Sequence, residues 1–430
     1  MSAAAPTRFI KAGRNEEPVV VLLNGLFDQA TRIGASDIHF EDDDEGTVIR
    51  FRIGGDLHYI QRIDRQTALI ADAKIRAVCK MSLQERMAAQ DGRMFIEVDN
   101  RMVDVRVSLL PCRTGQSTVC RLLDQKNAAR RLDDVLMTAP VRKAIDVALA
   151  EPDGLILMTG PTGSGKTSSL YAMLNELNVP ERKIITIEDP VEYRLARAVQ
   201  VNVNPKLTFA KALRSVLRQD PDIILVGEMR DTETAHIGVE AAMTGHLVLS
   251  TLHANDGATT ITRMTDLGID AFTLGAVLRC VISQRLAKRL CPHCSHPDEL
   301  GVNDKAWLAL FAPQYMDAQF WVADGCRECA NTGIFGRLPV MELIVADQDV
   351  RSATIRNNRN EISAAARKQD QYESLVEAGL RWAQLGQISF YEARRLASNA
   401  EYSCEPLQIS SGETDDELLQ QAIVREDLPQ

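Results

Sequence analysis

Apolar and polar residues follow two different patterns along the chain, one before and one after about residue 125. In the first part, short stretches alternate apolar and polar residues with the period of a half-buried strand. The strands predicted from this alternation are 48–53, 93–98, 103–109 and 117–123. Stretches 18–33 and 66–78 have helical spacing instead. This mixture predicts a small α+β domain over residues 1–124.

From residue 141 the strand-like runs are apolar throughout and alternate with helical stretches. The strands predicted here are 155–159, 184–188, 223–226 and 247–251. Continuous apolar runs are typical of parallel strands that are buried on both faces. We therefore predict an α/β domain with a doubly wound parallel sheet over 141–345, joined to the first domain by a linker over 125–140.

The last part of the chain is predicted to be helical over 346–400, with helices at 360–368 and 372–385. Residues 401–430 contain eight acidic residues and one arginine. So strong a charge bias with few large apolar residues predicts an acidic, disordered tail.

Charge and hydropathy exclude some classes of protein. The net charge is −10, of which the acidic tail carries −7. The nearly balanced remainder lacks the basic excess of a general nucleic-acid binder, so no stable nucleic-acid binding is expected. No apolar stretch reaches the roughly 18 residues needed to span a bilayer, and the N-terminus has no signal pattern. A cytoplasmic protein that reaches a membrane only through partners is therefore expected.

A phosphate-binding loop is the strongest chemical signal. Its residues are Gly160, Pro161, Thr162, Gly163, Ser164, Gly165, Lys166 and Thr167, with Ser168 opening the helix that follows. A buried strand before the loop and a helix after it are the context that this sequence pattern requires. Backbone N–H groups there bind phosphates, Lys166 reaches the β- and γ-phosphates, and the Thr167 hydroxyl ligates Mg²⁺. We therefore predict that the chain binds ATP.

Two other predicted strands end in carboxylates. Strand 223–226 leads to Glu228, where a carboxylate can polarise the attacking water, and strand 184–188 ends in Glu188. In a parallel sheet these ends lie at the edge that carries the phosphate-binding loop, so Mg²⁺ and water are within their expected reach. The alternative is a pair of solvated carboxylates at strand ends.

Other candidates carry positive charge or can carry it. His246 and His253 bracket strand 247–251, and an imidazole at the end beside the loop can donate to a γ-phosphate. The first domain offers several arginines, and an adjoining domain is a common source of positive charge for the transition state. These arginines are Arg50, Arg52, Arg86, Arg93, Arg106 and Arg121. The alternatives are structural histidines and surface arginines in ordinary ion pairs.

Four of the nine cysteines form two C-x₂-C pairs, Cys291 with Cys294 and Cys326 with Cys329. Each pair can offer two thiolates to one tetrahedral Zn²⁺, so a structural zinc site over 291–329 is expected. Two unrelated reduced pairs, or a redox pair, are the alternatives. We interpret four others as small core residues. These are Cys79, Cys112, Cys120 and Cys280.

The order of these motifs resembles one family, the secretion ATPases of type II secretion systems and type IV pili. The segments that carry the resemblance in the second domain are 160–167, 184–192, 217–231, 244–256, 284–287 and 333–337, with the cysteine pairs. In the first domain, segments 35–39, 90–93 and 104–108 also fit. Together they cover the chain from about residue 18 to about residue 396.

The resemblance implies a RecA-like ATPase domain with a four-cysteine zinc-binding insertion, preceded by a PAS-like α+β domain. It implies a homohexamer that drives pilin or pseudopilin assembly through a polytopic inner-membrane platform protein. Within the site it implies that Glu228 is the catalytic base, that Glu188 acts on Mg²⁺ or water, and that His253 senses the γ-phosphate. Arg106 and Arg121 match first-domain positions that approach the nucleotide on domain closure.

Three readings remain open beside an assembly motor. The chain begins close to the family's second domain, as retraction ATPases do, although the cysteine pairs favour the assembly branch. A conjugative or DNA-uptake ATPase could use the same fold, and a regulatory protein could bind ATP without turnover. The intact Glu228 argues against the regulatory reading, and the near-neutral body argues against the DNA-moving one.

Overall fold

The computed structural model describes residues 17–99, 101–124 and 131–397, except for the side chains of Arg101 and Asp124. These residues divide into two compact units. The first contains the described residues up to 124 together with 325–336, and the second contains 131–324 and 337–397. The predicted acidic tail and residues 125–130 of the predicted linker lie outside the described residues.

The first unit contains an antiparallel sheet with two helices among its described residues. Its elements are α1 (Pro18–Arg32), β1 (Asp37–Asp42), β2 (Thr47–Ile53), β3 (Asp56–Ile63), α2 (Arg65–Val78), β4 (Gln90–Val98), β5 (Arg101–Cys112) and β6 (Gly115–Asp124). The six strands lie in the order β3-β2-β1-β6-β5-β4. Every neighbouring pair is antiparallel, as the alternating sequence pattern favours.

The two faces of this sheet differ in polarity. In β2, Ile49, Phe51 and Ile53 are buried in a core shared with α1 and α2, whereas Arg50 and Arg52 alternate with them and are half-buried. Strand β1 repeats this alternation, although the sequence pattern did not predict it as a strand. Its polar residues are numerous because one face of β1 is not part of the apolar core.

The second unit begins with a short 3₁₀ helix, Leu132–Asp134, within the predicted linker. Its first elements are α3 (Ala139–Ala150), β7 (Gly154–Thr159), α4 (Lys166–Leu177), β8 (Ile184–Glu188), β9 (Val199–Asn202), α5 (Phe209–Val216), β10 (Ile223–Val226), α6 (Thr232–Met243), β11 (Leu247–Leu252), α7 (Gly257–Asp266), α8 (Ala271–Val277) and β12 (Leu278–Leu290).

After β12 the chain forms a small hairpin and then returns to the main sheet. These later elements are β13 (Ser295–Asp298), α9 (Val302–Phe311), β14 (Phe320–Ala323), β15 (Ile334–Val345), α10 (Gln348–Ile355), α11 (Arg359–Ala366), α12 (Leu375–Gln384) and α13 (Phe390–Arg395). Trp307 of α9, Phe320 of β14 and Phe390 of α13 pack in one apolar cluster, so the hairpin and the last helices share a core.

The main sheet has seven strands in the order β15-β12-β7-β11-β10-β8-β9. From β12 to β9 each strand runs parallel to its neighbour. Both faces are covered, because Leu157 of β7 packs in one apolar cluster and Met158 packs in another. The doubly wound parallel sheet is therefore confirmed, and its carboxyl ends gather the segments that follow β7, β10 and β11.

Candidate active site

The predicted phosphate-binding loop joins the end of β7 to the start of α4. Its exposed residues are Pro161, Thr162, Gly163 and Thr167. Lys166 and Ser168 are half-buried in the first turn of α4. The free N–H groups of that turn, and the positive end of the helix dipole, therefore face the loop.

The backbone of the loop leaves no room for side chains at two of its glycines. At Gly160, with φ 144°, a Cβ would lie 2.4 Å from the carbonyl oxygen of Gln284. At Gly165, with φ 84°, it would lie 2.9 Å from the Gln284 Nε2. The Ser164 hydroxyl is buried and has no hydrogen-bond partner among the described residues. A tight glycine loop with a buried hydroxyl that can donate fits a phosphate group.

Lys166 extends over this loop. Its Nζ donates to the carbonyl oxygens of Gly160 at 2.7 Å and Pro161 at 3.1 Å. Burial lowers the pKa of Lys166, the charge of Arg285 lowers it further, and Glu228 raises it. The ammonium group is therefore held at the mouth of the loop with little compensating negative charge.

Glu228 follows β10 and lies close to an arginine and a histidine. Its Oε2 is 2.5 Å from Nε of Arg230 and 3.6 Å from Nε2 of His253. The Glu228 side chain is 15% exposed, so these neighbours act in a partly desolvated setting. The structure thus brings two of the predicted residues, Glu228 and His253, together at adjacent strand ends.

Thr159 fastens the His253 segment beside the phosphate-binding loop. Its hydroxyl lies 3.2 Å from the Leu252 carbonyl and 3.1 Å from the Ala254 carbonyl, and it accepts from the Ala254 N–H at 2.9 Å. Because Thr159 is the last residue of β7, this contact links the strand before the loop to the end of β11. His253 is held from both sides.

His246 lies at the other end of β11. It directly precedes the strand, and its Nδ1 is 2.9 Å from the carbonyl oxygen of Ala241 near the end of α6. Only one histidine of the bracketing pair, His253, therefore lies at the carboxyl edge of the sheet. His246 has the structural role that was the alternative for this residue.

Glu188 occupies a buried polar cluster. Its carboxylate accepts from the Tyr171 hydroxyl at 2.9 and 2.8 Å and from the Thr186 hydroxyl at 2.6 Å. Burial raises the pKa of Glu188, while these hydrogen bonds lower it. Among the described residues, no hydrogen bond or ion pair joins Glu188 to Glu228 or to the phosphate-binding loop, and its carboxylate is directed to Tyr171 and Thr186 instead.

Arginines of the first unit form a row across its sheet. Strand register pairs Arg52 with Asp37, Asp37 with Arg121, Arg121 with Arg106, and Arg106 with Arg93. We call these five residues the arginine row. Arg121 Nε donates to the buried Asp37 at 3.0 Å, and Arg93 Nε donates to the buried Asp104 at 2.7 Å. Arg52 and Arg121 thus share the buried Asp37, and Arg93 pairs with the buried Asp104.

A shallow concavity of about 500 Å³ lies over part of the arginine row. It is lined by Arg93, Arg106 and Arg121, with Asp91 and Ser108 nearby. The Arg121 side chain is 64% exposed. The other candidates of this unit have local partners, since Arg50 pairs with Glu41 and Arg86 with Asp72.

The four paired cysteines come together. Their sulfur atoms all lie within 4.8 Å of one another, and the Cys326 and Cys329 sulfurs are 3.8 Å apart. Four thiolates around one zinc at about 2.3 Å would stand about 3.8 Å apart, so the cluster fits tetrahedral Zn²⁺. The Cys326 and Gly333 N–H groups donate to Sγ of Cys329 at 3.1 and 3.2 Å, which fixes the position of this sulfur in the cluster.

The other cysteines follow the predicted core role with one exception. Cys79, Cys120 and Cys280 are buried. Cys112 is exposed, so the prediction of a core residue there is wrong. Cys112 ends β5 at the hairpin to β6, where the side chain leaves the packed face. Cys404 lies outside the described residues.

A model of the Type II/IV secretion system protein family matches residues 12–395. The chain belongs to this family. The type II secretion system protein E of Aeromonas hydrophila is 42% identical over 384 residues, which are 89% of this chain and 76% of that protein. The type II secretion system ATPase E of Vibrio cholerae is 38% identical over 390 residues, 90% of this chain and 76% of that protein.

Two solved structures share the fold of this member of the Type II/IV secretion system protein family. The ATPase DotB of Legionella pneumophila superposes with a TM-score of 0.64 at 21% identity, covering 91% of this chain and 98% of DotB. The pilus retraction motor PilT with bound ADP gives 0.60 at 24% identity, covering 90% and 98%. The predicted RecA-like ATPase fold is therefore confirmed.

Family membership and the phosphate-binding loop also confirm the predicted enzyme class. The chain is an ATP hydrolase of the secretion type, and its cysteine cluster is compatible with zinc. Within residues 17–99, 101–124 and 131–397, no helix has both the length and the apolar character needed to cross a bilayer.

Sequence reasoning missed Arg230 as a neighbour of the candidate base. It follows Glu228 by two residues, and an arginine so close to a strand-end carboxylate is the signal that could have identified it. Because Nε of Arg230 lies 2.5 Å from Oε2 of Glu228, the guanidinium can hold this carboxylate in a fixed orientation.

Proposed function

We propose that this chain is the ATPase motor of a type II secretion or type IV pilus machine and works as a homohexamer that powers assembly of pseudopilin or pilin subunits. The observation that carries the proposal is a complete phosphate-binding loop with Glu228 and His253 paired at the neighbouring strand ends. The relatives at about 40% identity are named as type II secretion proteins, which favours that machine over a pilus.

In the proposed site the backbone of residues 160–165 and Lys166 bind the β- and γ-phosphates of ATP. The Thr167 hydroxyl, with Ser168 beside it, would ligate Mg²⁺, and the metal would neutralise phosphate charge. Glu228 accepts the proton of the attacking water, and its partner Arg230 orients the carboxylate. His253, 3.6 Å from Glu228, donates to the γ-phosphate and couples its presence to the base.

The proposed role of Glu188 on Mg²⁺ or water is indirect. Its carboxylate is held by Tyr171 and Thr186, and Tyr171 belongs to α4, the helix that opens with Lys166. We assign Glu188 to fixing this helix relative to β8, so that the strand end after Glu188 and the loop keep a constant geometry.

Arg106 and Arg121 complete the positive charge of the site in this proposal. Lys166 and Mg²⁺ alone leave much of the transition-state charge unbalanced, and a supplied arginine contributes about 10³–10⁵ in rate. ATP draws the arginine row toward the phosphate-binding loop, and hydrolysis releases it. Such closure requires that ATP bind the closed arrangement better than the open one.

The cysteine cluster has a structural part in the motor. Four protein thiolates would fill every position of a tetrahedral zinc, which leaves none for a substrate. When bound, Zn²⁺ cross-links segment 291–294 to segment 326–329, and Cys291 and Cys329 are already buried.

The proposed partners are other copies of this chain, an inner-membrane platform protein and, through it, pilin or pseudopilin subunits. The chain then works in the cytoplasm and is bound to the membrane only peripherally. No stable nucleic-acid complex is expected, because the charge outside the acidic tail is close to balanced.

The experiment that tests this function combines turnover with assembly. Wild type, Lys166→Ala and Glu228→Gln are compared by phosphate release, nucleotide binding and sedimentation with ATP. We expect Lys166→Ala to lose binding, whereas Glu228→Gln binds ATP, sediments as a hexamer and turns over about 10²–10⁴-fold more slowly. Glu240→Gln, an exposed glutamate on α6, is the matched control and should behave as wild type.

Two results would contradict this account. Nearly normal turnover by Glu228→Gln would show that another group is the base, and monomers with bound ATP would exclude the hexamer. Duplex DNA is added in a parallel series. A large stimulation of turnover that disappears steeply with salt would favour a DNA-moving ATPase instead.

A further inference from the structure

The middle of β12 lies directly against the phosphate-binding loop. Strand β12 runs parallel to β7, and their register pairs Ser283 with Thr159. The next residues, Gln284 and Arg285, therefore come beside Gly160, the first glycine of the loop. Neither residue has a part in the chemistry described so far.

Gln284 ties this strand to the loop. Its side chain is 1% exposed; Nε2 donates to the Ser164 carbonyl at 2.7 Å, and Oε1 accepts from the Ser169 hydroxyl at 2.8 Å. Because both ends of the amide are bonded, the backbone after it has a fixed position. Gln284 therefore sets where the next side chain, that of Arg285, can reach.

Arg285 extends between the loop and the segment that follows His253. Its Nη2 donates to the Asn255 carbonyl at 2.8 Å, and its Nη1 donates to the Gln284 carbonyl at 3.2 Å. A Cβ at Gly160 would lie 3.2 Å from Nη1, so the guanidinium borders the loop itself. Two carbonyl contacts leave further N–H groups of the guanidinium for another acceptor.

The charge around Arg285 is unbalanced. Among the described residues, neither Arg285 nor Lys166 has a carboxylate within 4.0 Å. Burial lowers the pKa of both groups, and the charge of Arg285 lowers that of Lys166 further. The carboxylates that attract Arg285 from farther away are Glu342 and Asp256. Two half-buried cations without a close counter-ion form a site for an anion of more than one charge.

We propose that Arg285 is a second phosphate-binding cation of the nucleotide site and contacts the terminal phosphate of ATP. The inference rests on the proposed role of residues 160–167 as the nucleotide site. A guanidinium offers paired donors to phosphate oxygens. Because its other contact is to the segment after His253, the side chain also links the phosphate to that segment.

Nucleotide discrimination tests this assignment. Full-length chains carrying Glu228→Gln are compared with and without Arg285→Gln, using competition of ATP and ADP, each with Mg²⁺, against a fluorescent nucleotide. Loss of a charge-assisted contact to the terminal phosphate should weaken ATP binding about tenfold to a hundredfold and change ADP binding far less. Arg279→Gln, near the start of the same strand and bonded to Asp153, should leave the ratio unchanged.

The proposal would be overturned if the binding of ATP and of ADP weakened equally, or if neither changed. A residue with only a structural role would loosen the loop and weaken the binding of both nucleotides. Arg285→Lys keeps the charge and should recover most of the preference for ATP; if Arg285→Gln does not fold, this variant decides. Lys166→Ala serves to separate the two hypotheses. Undiminished nucleotide binding by Lys166→Ala would refute the nucleotide site itself rather than the role of Arg285.

Discussion

The two sheets of this protein carry charged residues in different places. The parallel sheet is covered on both faces, and the candidate site residues Glu228 and His253 lie just after the ends of its strands, while Lys166 opens α4 after the loop. Among the described residues of the first unit, α1 and α2 pack on one face of the antiparallel sheet, and the arginine row crosses the other face. The parallel sheet thus has a carboxylate, that of Glu228, at its carboxyl edge, and the antiparallel sheet has a broad cationic face.

This difference suggests a division of work. A strand-end edge holds groups in constant geometry, which suits the binding of phosphates and the activation of water. A cationic face on a separate unit can place its positive charge near the nucleotide in only one part of the ATPase cycle. In the account proposed here, the edge binds ATP and the arginine row makes hydrolysis depend on closure.

The largest expected effect comes from removing charge from the arginine row. Arg106→Ala and Arg121→Ala should each lower kcat by about 10³-fold or more and weaken ATP binding much less, because the arginines act mainly in the transition state. The measurement is kcat with nucleotide Kd for each variant. Arg113→Ala, an exposed arginine with a 3.8 Å contact to Asp44, is the matched control. A wild-type kcat in both variants would show that the arginine row takes no part in catalysis.

The second expected effect concerns the cysteine cluster. Wild type should contain about one Zn²⁺ per chain, and Cys326→Ser with Cys329→Ser should release it and expose segment 295–325 to protease while ATP binding persists. Elemental analysis and limited proteolysis measure both. The exposed Cys112→Ser is the control. Protein purified anaerobically without chelators that contains no metal would contradict the prediction.

The smallest effect tests the buried interior of the parallel sheet. Burial raises the pKa of Glu342 to about 7, and its Oε1 accepts from the Gly257 N–H at 2.8 Å. The folded chain therefore keeps a proton that the unfolded chain loses near its ordinary pKa of about 4.3. The free energy of unfolding should fall by on the order of 3 kcal/mol as pH rises from 4.5 to 7.

Glu342→Gln should remove this part of the pH dependence, since the amide does not titrate. Denaturant unfolding of both proteins across that pH range measures it. The charged and titratable neighbours that remain are Asp256, Arg285 and Tyr372. An identical pH slope in the two proteins would mean that Glu342 is ionised in the folded chain.

Residues at the edge could be predicted from the sequence, because an apolar run followed by a charged residue marks a strand end. Glu228 and His253 were found in this way, whereas Lys166 was found from the glycine-rich loop pattern that contains it. The arginine row could not be predicted from the sequence. The register between strands that are distant in sequence decides which arginines lie side by side. Arg285 and Glu342 interrupt apolar strands, a visible signal, but only the neighbouring strands reveal what they contact.

Domain bounds and the individual roles of the site residues stay predictions. Glu188 illustrates the limit of strand-end reasoning. The sequence places it at an edge, yet its side chain turns into a buried cluster with Tyr171 and Thr186. A strand end fixes the position of a backbone, whereas side-chain packing fixes the direction of a carboxylate.

The most direct test of the central claim measures the distance between the two units with and without ATP. Spin labels are attached through unnatural amino acids at Leu110 and Val147, each 58% exposed, in Glu228→Gln diluted with unlabelled chains. Bound ATP should shift the distance distribution to shorter, narrower values, and Arg106→Ala with Arg121→Ala should abolish the shift. A distribution unchanged by ATP, with binding confirmed in the same sample, would contradict the account.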